Sequence, residues 1–248
     1  MNVYKVPVKG YFAVNSYFLI DEDTGHGFLI DPGAQGAALV QIIRSKVWTI
    51  EKILLTHGHF DHTGGIEAIR RELNIPVYIH ENGATYLEDT RLNLSEYCGE
   101  HVVVPDAHYF QDGATFSLAG HASPVLTAIH TPGHTPDSTT FYDAEDHIAF
   151  VGDTIFKGGM GTDQYPGGNR KQLVKSIAQR ILTLPDNTTL YSGHSEKTTV
   201  RGAHSDGTFG RAGGHGDHGG LPGLRRLVLC DRPDDLCGRW LDHQLMWQ

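Results

Sequence analysis

Apolar positions along the chain fall first into short strand-length runs and only then into helical spacing. Residues 3–8, 15–20 and 27–30 read as three strands, and the polar segment from Asp21 to Gly27 is the turn between the second and third. That order makes an antiparallel opening. Asp31-Pro32-Gly33 closes the third strand, and residues 34–46 follow with Leu39, Val40, Ile42, Ile43 and Val47 at helical spacing. Lys52-Ile53-Leu54-Leu55 is another strand run, and residues 66–73 read as a helix. Residues 76–80 predict a strand and 81–97 one or two short helices. Strand signals return at 107–110, 115–118 and 124–130, followed by a hairpin over 138–143 and 147–151. A glycine-rich stretch, 158–168, shows no periodicity. A helix over 169–182 carries Leu173, Val174, Ile177, Ile181 and Leu182 on one face, and residues 188–191 form a last short strand.

The densest chemistry lies between the strand at 52–55 and the helix at 66–73. His57, His59, Asp61 and His62 place four potential metal ligands within six positions of a strand-to-helix loop, where α/β proteins concentrate function. Three histidines and a carboxylate this close make poor core residues, because each needs a partner when buried. Neutral imidazoles with a carboxylate suit Zn(II), Mn(II) or Fe(II), and no cysteine sits among them. Three later residues share the placement. His134 stands beyond a strand end, with proline and glycine on both sides; Asp153 and His194 also follow strand ends. Turn or cap formation is the alternative role for Asp153. Asp31 is read as a turn-former in preference to a carboxylate holding a ligand imidazole. His80 and His130, lacking a partner at motif spacing or lying inside an apolar strand, are read as structural. The 158–168 stretch lacks the Gly-x-x-x-x-Gly-Lys-Ser/Thr pattern of a phosphate loop and is assigned to shaping a substrate pocket.

Composition narrows the classes. A chain of 248 residues can build its core without disulfides, and three scattered cysteines make no disulfide framework. The formal net charge of −9 argues against nucleic acid as the main partner. With no secretory signal and no run of transmembrane length, a cytoplasmic protein without a membrane partner is expected.

Taken together, the seven residues His57, His59, Asp61, His62, His134, Asp153 and His194 resemble the ligand signature of the metallo-β-lactamase superfamily, over about residues 1–200. The segments Thr131-Pro132-Gly133-His134-Thr135, Val151-Gly152-Asp153-Thr154-Ile155-Phe156 and Tyr191-Ser192-Gly193-His194 are most similar to its glyoxalase II branch, the hydroxyacylglutathione hydrolases and their short relatives. The resemblance implies an α/β, four-layer αβ/βα sandwich of two mixed sheets with the site at one edge. It further implies two divalent ions, zinc first, with iron or manganese as alternatives. His57, His59 and His134 would hold one ion; Asp61, His62 and His194 would hold the other, with Asp153 bridging. The expected chemistry is hydrolysis of a small-molecule thioester of hydroxyacyl-glutathione type, or a related ester, by a metal-bridged hydroxide. Asp61 and Asp153 are its catalytic carboxylates. A mononuclear iron persulfide dioxygenase and a lactonase are the alternative activities. The chain departs from its relatives at Thr162, where an arginine is frequent, and shows nothing like the basic helical domain of full-length glyoxalase II.

From Arg201 the composition changes. The last 48 residues have six Arg and no Lys, six Asp and no Glu, and no period is expected to survive past Val200. The segment 201–248 is read either as a Gly-rich linker with a docking element at 221–230 or, preferentially, as an out-of-frame translation, disordered or poorly packed over 201–220. His215-Gly216-Asp217-His218 is a coincidence of that composition.

Overall fold

In the computed structural model, which describes residues 1–205, two mixed six-stranded sheets lie face to face with helices outside. The first sheet holds β1 (Asn2–Lys9), β2 (Ala13–Ile20), β3 (His26–Ile30), β4 (Thr49–Leu54), β5 (Val77–His80) and β6 (His108–Phe110) in chain order. β1 to β3 pair antiparallel, and β3 to β6 pair parallel. The parallel crossovers carry α1 (Gly36–Lys46), α2 (Phe60–Thr63), α3 (Ile66–Glu72) and α4 (Ala84–Glu88). The second sheet is built from β7 (Thr115–Phe116), β8 (Leu126–His130), β9 (Thr139–Asp143) and β10 (Ile148–Gly152). Beyond the small hairpin of β11 (Ile155–Phe156) and β12 (Gly159–Met160) and helix α5 (Arg170–Ser176), β13 (Thr189–Ser192) and β14 (Thr198–Thr199) complete it. Helix α6 (Val200–Ser205) follows.

Strict alternation of side chains explains the layering. Tyr17, Leu19, Phe28, Ile30 and Leu54 point inward and meet Phe116, Leu126, Phe141, Ile148 and Phe150 of the other sheet. Their neighbours Phe18, Ile20, Leu29, Ile53 and Leu55 point outward and pack under α1 and α3. Ala149 and Val151 likewise face Leu173, Ile177, Ile181 and Val200 on the far side. Strands covered on both faces read as continuous apolar runs, as β10 and the Tyr17–Ile20 half of β2 do.

Four expectations change. The helix expected over 169–182 starts after Asn169, whose Oδ1 accepts the Gln172 amide at 3.1 Å. It then widens over Ile177–Ile181, where the Leu182 amide reaches back five residues to Ile177 at 2.9 Å. The stretch 158–168 is not wholly without regular structure, because Gly159–Met160 pairs with Ile155–Phe156. The run at 52–55 belongs to a longer strand, Thr49–Leu54. Regular structure does not stop at Val200: α6 buries Val200 and Ala203 against the outer cluster of the second sheet. The apolar pair one turn apart is too short a signal to read in the sequence. The expectations for residues 206–248 lie outside the described residues. Among the described residues no helix is long and apolar enough to cross a membrane.

If α6 is part of the packed domain, Val200→Ala removes two buried methyls at about 0.8 kcal/mol each and leaves a cavity, for a loss of about 2 kcal/mol. Chemical denaturation measures it; an unchanged midpoint would show that α6 contributes no packing.

Candidate metal centre

Every candidate ligand sits at or just beyond a strand end on one edge of the sandwich. β4 delivers Thr56 and His57, and the chain then turns into α2 with His59, Asp61 and His62. β8 leads to His134, β10 to Asp153 and β13 to His194. The structure brings all seven together.

His57, His59 and His134 form a near-symmetric trio. Each pair of ring centroids is 4.8 Å apart and close to perpendicular. His57 Nε2 and His134 Nε2 each stand 3.1 Å from His59 Nδ1. In the second group His194 Nε2 lies 3.3 Å from His62 Nε2 and 3.1 Å from Asp61 Oδ2. Asp153 faces both groups, with Oδ1 at 3.5 Å from His62 and Oδ2 at 3.3 Å from His194 and 3.8 Å from His134.

Outer hydrogen bonds fix the tautomers. His62 Nδ1–H donates to Asp31 Oδ2 at 2.9 Å, His134 Nδ1–H to the Thr162 carbonyl at 2.7 Å, and His194 Nδ1–H to the Ala13 carbonyl at 2.8 Å. The Thr56 hydroxyl donates to Asp31 Oδ2 at 2.6 Å, leaving its oxygen to accept from His57 Nδ1 at 3.2 Å. The Nε2 atoms therefore aim lone pairs inward. One proton on His59 Nδ1 can serve only one of the two nitrogens facing it. His59 Nε2 and Asp153 Oδ1 are buried with no hydrogen-bond partner. A buried arrangement so short of protons fits a cation among the donors, and three clusters have the spacing to hold one: His57/His59/His134, His57/His62/Asp153 and Asp61/His62/His194.

Without a cation the two halves differ in charge. Burial pushes His57, His59 and His134 down, His59 to about 3, so this trio is neutral, the ligating form. Burial also opposes charge on His62 and His194, but Asp153 and Asp61 overcome it, raising both imidazoles, His194 to about 10. Burial likewise works against Asp61 and Asp153, and His62 and His194 hold both carboxyls down, Asp61 at about 2.

Asp31 fills both of the roles weighed for it, where the turn alone was preferred. It does make the turn, with φ of 48° and its carbonyl accepting from Gly33 at 2.8 Å. Its carboxylate also takes the Thr56 amide at 2.8 Å and the His62 ring, tying two parallel strand ends to a ligand. Turn chemistry is one half of a double role. His80 and His130 stack on each other at 3.9 Å, away from the site as expected, and His130 Nε2–H braces the His134 loop at the Pro136 carbonyl, 2.8 Å away. Backbone at the site is equally constrained. A β-carbon on Gly193 would come within 2.4 Å of Asp153 Oδ1 and 2.6 Å of His62 Cε1. Tyr17 and Asn15 hold that loop by donating to the Ser192 carbonyl at 2.6 and 3.1 Å.

Two residues escaped sequence reasoning. Tyr165, inside the glycine-rich stretch, sets its ring edge-on to His59 at 5.6 Å and His134 at 6.2 Å. Asp137 is fully buried, neither carboxylate oxygen has a hydrogen-bond partner, and a β-carbon on Gly83 would stand 2.8 Å from its Oδ2. No local pattern marks a carboxylate that the fold buries alone.

Fold and site together define a metal-dependent hydrolase built on a two-sheet sandwich. The chain belongs to the metallo-β-lactamase superfamily, whose family model matches residues 10–194. It is 38% identical over 79% of its length to a probable metallo-hydrolase, YqgX, of Bacillus subtilis, covering 91% of that protein. It is 30% identical over 81% of its length to the hydroxyacylglutathione hydrolase GloC of Haemophilus influenzae, covering 93% of it. Among solved structures, the B3 metallo-β-lactamase BLEG-1 superposes with a TM-score of 0.77 at 31% identity, over 82% of this chain and 97% of that one. TTHA1623 in a di-iron-bound form gives 0.72 at 29% identity, over 82% and 96%.

Burial pushes the Asp137 carboxyl from 3.8 up to about 6. An acid whose pKa is raised on folding favours the folded state below the unfolded value and loses that stability as pH rises through the folded one. Between pH 4 and 7, Asp137 is therefore expected to cost the chelator-stripped protein on the order of 3 kcal/mol, from 1.36 kcal/mol per pKa unit. Denaturation of wild type and Asp137→Asn across that range tests this. The two pH profiles must diverge; parallel profiles would refute the buried titration.

Proposed function

We propose that this protein hydrolyses a small-molecule thioester, of hydroxyacyl-thiol type, to a carboxylic acid and a free thiol, using two divalent ions. Zinc is the first candidate; the di-iron form of TTHA1623 supports iron as an alternative. The observation that carries the reading is the position of Asp153, within 3.8 Å of nitrogens from both histidine groups. One carboxylate facing both groups suits a paired site. In the proposed assignment His57, His59 and His134 hold one ion, Asp61, His62 and His194 the other, and Asp153 both.

Such an ion pair, when bound, lowers the pKa of water from about 15.7 toward neutrality and polarises the carbonyl to be attacked. The chain's own contribution is orientation and proton handling. Asp31, Thr56 and the carbonyls of Thr162 and Ala13 lock the imidazoles in the ligating tautomer. Asp61, kept ionised against its burial by His62 and His194, stays a hydrogen-bond acceptor at the reacting centre, and the proton of the acid product passes to solvent. A thiol leaves as thiolate at neutral pH with little help, so no dedicated acid is required. Similarity to GloC supports a hydroxyacyl-thiol substrate. Similarity to BLEG-1 supports a second reading, cleavage of a β-lactam amide.

Elemental analysis of protein purified without added metal, with assays on a lactoyl-glutathione thioester and a chromogenic cephalosporin, separates these. Two equivalents of metal with thioester turnover are expected. One equivalent of iron with oxygen uptake and no turnover would sink the hydrolase and favour a persulfide dioxygenase; turnover of the cephalosporin alone would favour the second reading.

The assignment also predicts which ions are lost. Asp153→Ala is expected to deplete both metals and His194→Ala mainly one. Two full equivalents in Asp153→Ala would exclude the bridging position.

A further inference from the structure

A cleft of about 170 Å³ opens beside the metal centre, and its walls differ in chemistry from the centre itself. Tyr11, Phe12, Phe60 and Val102 supply apolar surface; Asp61 and Glu100 supply the charges, and none of the described residues that line it is basic. The aromatic wall is built. Tyr11 sets its ring on Phe12 at 4.9 Å and on Phe60 at 6.3 Å, and Phe12 meets Phe60 edge-on at 5.8 Å. Tyr11 remains 45% exposed at the rim. Cleft and centre share a helix turn, since Phe60 and Asp61 are consecutive on α2. They also share an apolar floor. Phe12, Phe60 and Leu94 pack with Val102 and Tyr165, and Tyr165 lies edge-on to His59 and His134.

We infer that this cleft seats one arm of the substrate, on one side of the bond that is cleaved, and that this arm is apolar or aromatic and bears no negative charge. The inference rests on the hydrolase reading above and narrows its substrate class. Two arguments carry it. An aromatic wall that runs up to Asp61, the one candidate ligand lining the cleft, offers burial to a hydrophobic group next to the metal centre. Charge supplies the second argument. A dicarboxylate such as the glutathionyl group would lie against the exposed Glu100 carboxylate, with no lysine or arginine among the described lining residues to pair with, so like-charge repulsion opposes it. Specificity against anionic arms thus comes from a repulsive element as well as from apolar contact.

The test compares acetyl and phenylacetyl thioesters of the uncharged thiol N-acetylcysteamine, a benzyl-thiol acetyl thioester, and lactoyl-glutathione, on the enzyme as purified. One of the two aromatic substrates is expected to exceed the acetyl N-acetylcysteamine thioester in kcat/KM by about tenfold or more. Tyr11→Ser is expected to bring that ratio toward one, and Glu100→Lys to shift preference toward lactoyl-glutathione. Thioester turnover with no aromatic preference, or with a ratio indifferent to Tyr11→Ser and Glu100→Lys, overturns the cleft assignment while leaving the hydrolase standing. If no thioester is cleaved, the hydrolase reading fails and the cleft is judged by calorimetric binding of the same uncleaved aromatic thioesters. Binding weakened by Tyr11→Ser supports an apolar-arm site, and absent or unaltered binding overturns it.

Discussion

Lone pairs of buried imidazoles cannot face one another at 3.1 Å without something positive between them. The trio of His57, His59 and His134 has that geometry, and its surroundings keep the rings neutral, so one proton on His59 Nδ1 can relieve only one of its two contacts. The chain orients the rings from behind wherever it can, His57 through Thr56 and His134 through the Thr162 carbonyl, while His59 Nε2 has no such partner. The requirement to orient ligand rings accounts for much of the polar chemistry at this edge of the sandwich, from the Asp31 carboxylate to the carbonyls of Thr162 and Ala13.

The two-sheet fold meets the requirement because strand ends are its most precisely placed points. β3 and β4 lie side by side in parallel, so Asp31 at the end of one reaches Thr56 at the end of the other. The Thr56 carbonyl in turn accepts the Thr139 amide from the second sheet at 2.8 Å, stitching the two sheets together directly behind His57. Tyr17 and Asn15 of β2 do the same for the loop before His194. The inter-sheet core, with Phe28, Phe141 and Phe150 almost wholly excluded from water, sets the separation at which these cross-links close.

Much of this was legible in the sequence, for a physical reason. Ligands at positions 57, 59, 61 and 62 are local, and local spacing survives without knowledge of the fold. His134, Asp153 and His194 were readable because each breaks an apolar strand run with a polar group that packing does not explain. What failed to show is what depends on contacts between distant segments. Asp31 could be read as a turn-former or as a carboxylate holding a ligand imidazole, and the second role could not be preferred because the His62 ring it holds is thirty-one positions away. Asp137 and Tyr165 gave no signal, since neither burial of a lone carboxylate nor an edge-on aromatic contact has a sequence period. The helix after β14 was missed because its buried face is only Val200 and Ala203.

The way the ligands are braced also explains which parts of the chain are free to vary. His134 and His194 are oriented by main-chain carbonyls, and a carbonyl is present whatever side chain stands at 162 or 13. A change of side chain at 162 therefore leaves the His134 brace intact. The same holds for the loop of Tyr11 and Phe12, which lines the cleft and contributes no candidate ligand. On the proposed reading, catalytic geometry and substrate choice would rest on different atoms of neighbouring residues: backbone and buried carboxylates for the first, exposed side chains for the second. A chain organised this way can change what it accepts without disturbing how it holds its ions.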